Sequence, residues 1–545
     1  MPPHENNRRT AERLLLVSLA GGVVCAGLAS ARLRGLMFNS LQLTLGTLAV
    51  SLPLGIFLAV MISKTSVVGG RAIKCFMVAL LFVPLFVQAT AWQAALGQTG
   101  WFLPSVDPIF TLSGWYGAIW VHGMAAIAWV VLCVGAALKN VPRELEEEAL
   151  QDSPDWRVLW QVSVRRCTAG IAAAGLWIGV ICFGEITVTD LFQVRTFAEE
   201  IYTAANLGAL DGALPKPGDE SLGASAPQLA ADDLWLGTAL VFLLASAALA
   251  AVWAWLPTNG FASASDDWTL QLQRGRWPLS LAVWLLTAVI VGLPLVSLVG
   301  KAGMQTERIE GQMVTGWSAG AAVHLVVRSP WEHRREVRWS FIIGGFAAAG
   351  ATIVGMLIAW GVRCGWLGSL PTALLLSFGF AIPGPLIGVW VIRLMNQPND
   401  SVFSFLNWWY DHTILAPVLV QLLRALPLTT LVLTAQFARV PQDVLDSATS
   451  EGARGWRQLQ SIVLPLSWPA LLAAACMALL VALGDMTATL LVLPPGVSTL
   501  STRIFGLLHY GAEDRVSALC LALALGLGAL TTLAWHLLQR LEIRR

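Results

Sequence analysis

The chain has 545 residues, of which 56% are hydrophobic and only 12% are charged. A soluble domain carries about 25% charged residues. This composition therefore excludes a soluble enzyme, a disordered protein and a nucleic-acid-binding protein, and it leaves a membrane protein with several spans. The net charge of +1 says nothing about partners, because in a membrane protein the distribution of charge between the two faces is what matters.

Apolar windows long enough to cross a bilayer recur along the whole chain. A spanning helix needs about 20 apolar residues, and helices are expected because every backbone amide in lipid must be hydrogen-bonded within its segment. We interpret the first window as a membrane helix and not as a cleaved signal peptide, because it lacks a convincing A-x-A cleavage site. The twelve predicted spans are 14–31, 38–62, 75–97, 114–138, 168–191, 234–256, 279–300, 340–362, 369–395, 413–436, 468–493 and 516–538.

Basic residues predict which side of the membrane each loop occupies. With the N-terminus inside, the inner segments hold 20 Lys and Arg residues and the outer segments hold 12. Because cytoplasmic loops carry the excess of basic residues, both termini are predicted to be cytoplasmic. The outer segment 195–233 is acidic and rich in Gly, Pro and Ala, which predicts an irregular loop, and a second long outer loop covers 301–338.

The chain repeats itself at an offset of 299–300 residues. Six predicted helices separate the two copies, an even number, so both copies cross the membrane in the same direction. The predicted fold is an all-α membrane protein made of two parallel six-helix halves, 1–270 and 271–545. The informative matches are Pro84 with Pro383, Val141-Pro142 with Val440-Pro441, Trp156-Arg157 with Trp456-Arg457, and Gly184-Glu185 with Gly484-Asp485.

The inner loop 440–465 of the second half has the pattern of a short helix–turn–helix at the membrane surface. Gly452 permits a sharp break between two short helices. Trp456 and Leu459 begin a second apolar face at i, i+3 spacing. Pro465 is expected to stop the second helix before the next span begins.

This loop resembles the EAA motif of ABC importer permeases, in which an acidic residue, a pair of small residues, a glycine and a closing I-x-L-P follow one another. The residues that carry the resemblance are Asp446, Ala448, Gly452, Ile462, Leu464 and Pro465. In that family the loop is a coupling helix that docks in a cleft of the ATPase subunit. The resemblance therefore implies that the loop, with Glu451 beside Gly452, contacts an ATPase.

The first-half loop 141–165 is a degenerate copy of the same motif. Glu147 or Glu148, followed by Ala149, matches its beginning. Ser153 stands where glycine is expected, and Arg165 stands where Pro465 stands in the second loop.

The layout of the whole chain resembles the fused permeases of ferric iron importers. That resemblance implies a bacterial inner-membrane permease that takes a small solute, iron(III) first of all, from a periplasmic or extracellular binding protein. Two ATPase copies would drive it. The chain has no G-x-x-x-x-G-K-[ST] motif, so ATP would be bound and hydrolysed on a separate chain, and no cofactor is expected here.

Three alternatives stay open at this point. Relatives of the same layout import thiamine or phosphonates. A secondary transporter with two six-helix repeats explains the spans equally well, although it does not explain the loop centred on Gly452. A membrane-embedded enzyme or scaffold would need a polar catalytic cluster, and the sequence has no H-E-x-x-H, Cys/His cluster or nucleophile motif.

A few charges and two prolines fall inside the predicted spans. Glu185 and Asp485 occupy matching repeat positions, and a buried carboxylate is costly in a membrane. They either flank the translocation path or brace helix packing through hydrogen bonds. Arg424 is expected to pair with one of them. Pro84 and Pro383 are expected to kink or unwind their helices near a gate.

No metal site and no disulfide are predicted. His122 is a lone histidine in the fourth predicted span, more consistent with packing than with metal binding. The eight cysteines lie in or beside apolar segments, and no CxxC pair occurs.

Overall fold

The computed structural model describes the chain in several stretches. They are 30–97, 111–206, 236–243, 245–247, 275–309, 312–368, 382–398, 401–509 and 513–543, with isolated positions between them. The first predicted span, 14–31, and the N-terminus lie almost wholly outside these residues.

The described residues are overwhelmingly helical, as expected for a membrane protein. In the first part of the chain the helices are α1 (Ala31–Lys64), α2 (Gly70–Phe82), α3 (Leu85–Leu96), α4 (Gly114–Leu138), α5 (Arg143–Asp152), α6 (Asp155–Val164), α7 (Thr168–Gly184), α8 (Thr187–Leu191) and α9 (Phe197–Asn206). In the second part they are α10 (Arg276–Ala302), α11 (Ala319–Glu332), α12 (Arg334–Arg363), α13 (Gly384–Met395), α14 (Phe405–His412), α15 (Leu415–Ala438), α16 (Gln442–Ser450), α17 (Trp456–Gly484), α18 (Leu500–His509) and α19 (Glu513–Ile543).

Seven of these helices are long and apolar enough to cross a membrane, or nine if each of two bent pairs forms one span. The seven are α1, α4, α10, α12, α15, α17 and α19, and each overlaps a predicted window. The polytopic helical fold is therefore confirmed. The count of twelve is not, because windows 14–31, 234–256 and 369–395 lie wholly or partly outside the described residues.

Proline breaks the third predicted span, as expected. Helices α2 and α3 are bent by 106° with respect to each other, so window 75–97 is not one straight helix. Pro84 is the N-cap of α3, with φ −56° and ψ 146°, and Pro383 caps α13 in nearly the same conformation. A proline lacks the backbone N–H and disfavours a helical residue before it, which explains a helix start at each position.

Windows 168–191 and 468–493 were predicted too long. Helices α7 and α17 end at Gly184 and Gly484, and the next residue in each case is extended. That residue is the buried carboxylate, Glu185 or Asp485. Each carboxylate accepts hydrogen bonds from the following segment, which ends the helix.

The two segments that were predicted to lie outside contain more structure than expected. Segment 195–233 was expected to be irregular, but its first part forms α9. The long loop 301–338 contains an antiparallel hairpin of β1 (Met304–Ile309) and β2 (Gln312–Trp317), with Met304 opposite Trp317. The hairpin is a local addition to the predicted all-α fold, which the helices of the described residues otherwise confirm.

The same helix pairing occurs in both parts of the chain. Helix α1 packs closely on α4 at Gly55, where an added Cβ would lie 2.5 Å from Val130 Cβ. Helix α12 packs on α15 at Gly355, where an added Cβ would lie 2.9 Å from Thr429 Oγ1. The repeat detected in the sequence thus corresponds to matching packing, while the boundary at 270 stays a prediction.

Two of the buried hydrophobic clusters are shared between the two parts. One buried cluster combines Val180 and Phe183 of α7 with Leu386 and Val391 of α13. Another joins residues of α3 to residues of α17 and α19. Each helix that follows a capping proline is thus buried against the opposite part of the chain, which positions both prolines at the contact between halves.

Candidate functional site: two surface loops and two buried carboxylates

The second surface loop folds as a helix–turn–helix. Pro441 caps α16, and the turn after it passes through Gly452 at φ +86° and Gly455 at φ +54°. These left-handed values favour glycine, because a side chain would clash with its own backbone there. A Cβ on Gly452 would meet nothing within 4 Å, so the backbone conformation, and not crowding, requires glycine.

Gln458 fastens the two helices of this loop to each other. Its side-chain amide donates to Leu445 O at 2.9 Å and to Thr449 Oγ1 at 2.8 Å. Leu445 and Ala448 are buried beneath α16, whereas Asp446 is exposed and accepts a hydrogen bond from Gln442 at 2.9 Å. The loop therefore buries one face and presents an acidic face to solvent, and Glu451 and Gly452 at its turn are exposed as well.

Two details of this loop were predicted wrongly. Trp456 and Leu459 do not share a buried face, because Trp456 is 52% exposed while Leu459 is fully buried. Pro465 does not stop the second helix, because α17 runs without interruption from Trp456 to Gly484. A wide π-helical turn at Leu459–Val463 precedes the proline. An equivalent π-helical turn at Val158–Val164 precedes Arg165 in the first half, so the turn belongs to the repeat and does not depend on the proline.

The first surface loop has the same plan with different chemistry at its turn. Helix α5 follows Pro142, as α16 follows Pro441. Ser153 lies in the extended region at φ −139° and the chain turns without a left-handed residue. Substitution of the glycine by serine therefore changes the turn, and it does not abolish the helical hairpin.

Glu147 is the structural counterpart of Asp446. It is exposed and accepts a hydrogen bond from Arg143, four residues earlier, at 2.7 Å, just as Asp446 accepts one from Gln442. Glu148 is also exposed and Ala149 is half-buried. Glu147 thus has the same kind of local contact as Asp446, and docking through Glu147 or Glu148 stays a prediction.

A buried ion pair lies under the first loop. Lys64, the last residue of α1, places its Nζ 2.8 Å from Glu146 Oε2, and their side chains are 7% and 0% exposed. Ser163 of α6 donates to the other Glu146 oxygen at 2.6 Å. Sequence reasoning missed all three residues because Glu146 stands in a run of acidic residues that suggests a solvated face. The repeat offered a signal, since Glu146 aligns with the apolar Leu445.

Glu185 is buried at the end of α7 and serves as a cap. It accepts hydrogen bonds from the backbone N–H of Thr187 at 2.6 Å and of Val188 at 3.0 Å. His122 of α4 lies beside it, with Nε2 3.3 Å from Glu185 Oε2. His122 is therefore a partner of a carboxylate, and its Nδ1 faces the backbone oxygen of Ala118 at 2.9 Å.

Asp485 has the equivalent position in the second part of the chain. It accepts hydrogen bonds from the backbone and side chain of Thr489 at 3.2 and 2.6 Å. Arg424 Nε lies 3.6 Å from Asp485 Oδ1, so the expected pairing of Arg424 with one of the two carboxylates is confirmed for Asp485. Arg424 also reaches the backbone oxygen of Ile382, next to Pro383, at 3.5 Å.

Each capping proline of one half lies close to the glycine that precedes the buried carboxylate of the other half. A Cβ added to Gly484, beside Asp485, would lie 3.2 Å from Pro84 Cγ, and one added to Gly184 would lie 4.0 Å from Pro383. The structure thus brings Arg424, Asp485 and Pro383 together and places Pro84 against the same turn. Each carboxylate has a cationic or imidazole partner and backbone donors, which are the contacts of a brace between helices.

The comparisons with known proteins concern mainly the second part of the chain. Residues 351–544 match the family described as binding-protein-dependent transport system inner membrane component. This range includes the second surface loop, Arg424 and Asp485. The putative 2-aminoethylphosphonate transport system permease protein of Salmonella typhimurium is 34% identical over 107 residues, which cover 20% of this chain and 39% of that protein.

Two further relatives are similar over longer segments at lower identity. The putrescine transport system permease protein of Escherichia coli is 24% identical over 208 residues, 38% of this chain and 73% of that protein. The putative molybdenum transport system permease protein of Bacillus subtilis is 27% identical over 180 residues, 32% of this chain and 79% of that protein. The match to the phosphonate relative thus spans well under half of its length, and the three relatives are named for three different solutes.

Proposed function

We propose that this chain is the permease subunit of a binding-protein-dependent ABC importer. The observation that carries the proposal is the second surface loop, a helix–turn–helix with an acidic exposed face that leads directly into the long helix α17. The family match over residues 351–544 covers this loop. We propose that the loop binds an ATPase subunit and that α17 transmits the displacement of the loop into the membrane.

The first surface loop supplies the second docking point. It repeats the helical hairpin and the exposed acidic position, Glu147, and it leads into the broken pair α6 and α7. Two such loops correspond to two ATPase copies, one for each half. The residues proposed for docking are Glu147, Glu148, Ala149, Ser153, Asp446, Ala448, Glu451, Gly452 and Pro465. Of these, Ala448 is buried, so its role would be to hold α16 in place and not to contact the ATPase.

The chain itself would carry no catalytic residue and no cofactor. ATP would be hydrolysed on the partner ATPase, and an outer binding protein would deliver the solute. We propose the inner membrane as the location, with both termini cytoplasmic. Closing of the ATPase pair would bring the two surface loops together and move the halves against each other at the contacts of Pro84 and Pro383.

The solute is a further proposal. Iron(III), the expectation from the resemblance of the layout, has no support from the three relatives, which are named for 2-aminoethylphosphonate, putrescine and molybdenum. The phosphonate alternative has the support of a relative at 34% identity. Glu185 and Asp485 give no preference for a cation, because both carboxylates already have partners.

Docking of an ATPase is tested by co-purification from membranes of the native host. The wild-type chain should retain an ATPase subunit, and Asp446→Lys and Gly452→Asp should lose it while the chain stays in the membrane. Gly345→Ala is the matched control, because a Cβ there meets nothing within 4 Å and the residue is far from both loops in sequence. Retention of the ATPase by both loop variants would contradict the docking role.

A further inference from the structure

The two surface loops are fixed to the membrane helices by different chemistry. Under the second loop, Leu445 and Val463 are buried and apolar. At the corresponding positions of the first loop stand Glu146 and Ser163, which are buried and bonded to each other at 2.6 Å. The repeat therefore provides an internal comparison of one fold with two kinds of contact.

The basic residue at the end of the supporting helix also behaves differently. Lys64 ends α1 and contacts the Glu146 carboxylate at 2.8 Å. Arg363 ends α12 and donates to the backbone oxygen of Val440 at 3.1 Å. In the first half the helix end is thus joined to the first turn of the loop helix, whereas in the second half it is joined to a residue two positions before that helix.

We propose that Lys64, Glu146 and Ser163 are positioning residues that tie the first surface loop rigidly to α1 and α6. Removing one member of a buried ion pair leaves an uncompensated charge, which is strongly unfavourable. The loop helix α5 and the end of α1 consequently move as one body. The second loop is held by apolar contacts, by Gln458 and by the hydrogen bond from Arg363 to Val440, without a buried ion pair among the described residues.

This proposal rests on the proposed function for its consequence in transport. If the ATPase pushes on the first loop, the ion pair transmits that displacement to α1, the helix that packs on α4. The degenerate first loop would then be a rigid lever, and its lack of the turn glycine would matter less than the link beneath it.

Hydrogen–deuterium exchange on the full chain in lipid nanodiscs tests the link without an ATPase. Glu146→Gln and Lys64→Met should each accelerate exchange of the amides in 143–152 by at least about tenfold, because local opening follows the lost stability of the segment. Exchange in 442–450 should not change. Glu144→Gln, an exposed carboxylate on the same helix, is the control and should leave both segments unchanged.

A rescue variant separates a specific link from a fold that is merely damaged. The triple variant Lys64→Met, Glu146→Leu, Ser163→Val removes the charged pair and introduces at 146 and 163 the residue types of Leu445 and Val463 in the second half. It should restore slow exchange in 143–152. Unchanged exchange in the single variants would overturn the proposal. Equal acceleration in both loops would also overturn it, because the effect would then be global.

The transport consequence is read as solute imported per ATP hydrolysed, in proteoliposomes that contain the co-purified ATPase. Glu146→Gln should lower this ratio at least about threefold, and the apolar triple variant should recover it. A wild-type ratio in Glu146→Gln would overturn the lever role. If wild-type protein shows no ATP-driven import while exchange behaves as expected, the proposed function fails and the structural link stands.

Discussion

The pair of Arg424 and Asp485 gives the sharpest energetic prediction. At 3.6 Å and an effective dielectric constant of about 20, two unit charges attract each other by roughly 4.6 kcal/mol. Desolvation and the 29% exposure of the Arg424 side chain reduce the net coupling to the range of about 0.5–3 kcal/mol found for contacting residues. We therefore expect about 2 kcal/mol of coupling between these side chains.

A double-mutant cycle measures this coupling. Arg424→Met removes the cation, and Asp485→Asn removes the charge while keeping an oxygen that accepts from Thr489. At roughly 2 °C in Tm for each kcal/mol, the drop in Tm of the double variant should be about 4 °C smaller than the sum of the single drops. Thermal unfolding of the purified full chain is the assay.

A second cycle serves as the control. Glu185 pairs with His122 in the other half, so Arg424→Met and Glu185→Gln should have additive effects on Tm. If the Arg424 and Asp485 variants are additive as well, the two side chains do not interact and the assignment of the ion pair is refuted.

Two further predictions concern glycines. Gly452→Ala should destabilise the second loop by about 1–2 kcal/mol, the cost of a left-handed residue with a side chain, and Gly452→Asn should destabilise it less. Hydrogen–deuterium exchange of the amides in 442–450 measures both effects. Equal effects of the two variants would refute the explanation from backbone conformation. Gly384→Ala should lower Tm, because its Cβ would overlap the Thr487 side chain and overpacking costs about 1–3 kcal/mol. The open position Gly345→Ala should not lower Tm, and equal shifts would contradict the packing at Gly384.

The features that the sequence predicted well depend on local rules. Pro84 and Pro383 start helices because a proline cannot continue the preceding one. Gly452 turns through a left-handed conformation because only glycine adopts it without strain. The apolar windows of α1, α4 and α15 match their helices because burial in lipid needs long apolar segments.

The features that the sequence missed depend on tertiary contacts or on irregular helix geometry. Glu146 stands among exposed acidic residues, and only the approach of Lys64 and Ser163 shows that it is buried. Pro465 lies inside a continuous helix, directly after a π-helical turn at Leu459–Val463. Neither the burial of Glu146 nor the π-helical turn leaves a periodic pattern in the residues nearby.

The central claim is that ATP hydrolysis drives solute through this chain. Its most direct test is uptake into proteoliposomes that contain the wild-type chain, its co-purified ATPase and its binding protein, with labelled phosphonate, molybdate, putrescine, iron(III) or thiamine as solute. The proposal predicts uptake of one of these solutes that requires ATP and the binding protein and persists without an ion gradient. Uptake that follows an ion gradient and ignores ATP would contradict it.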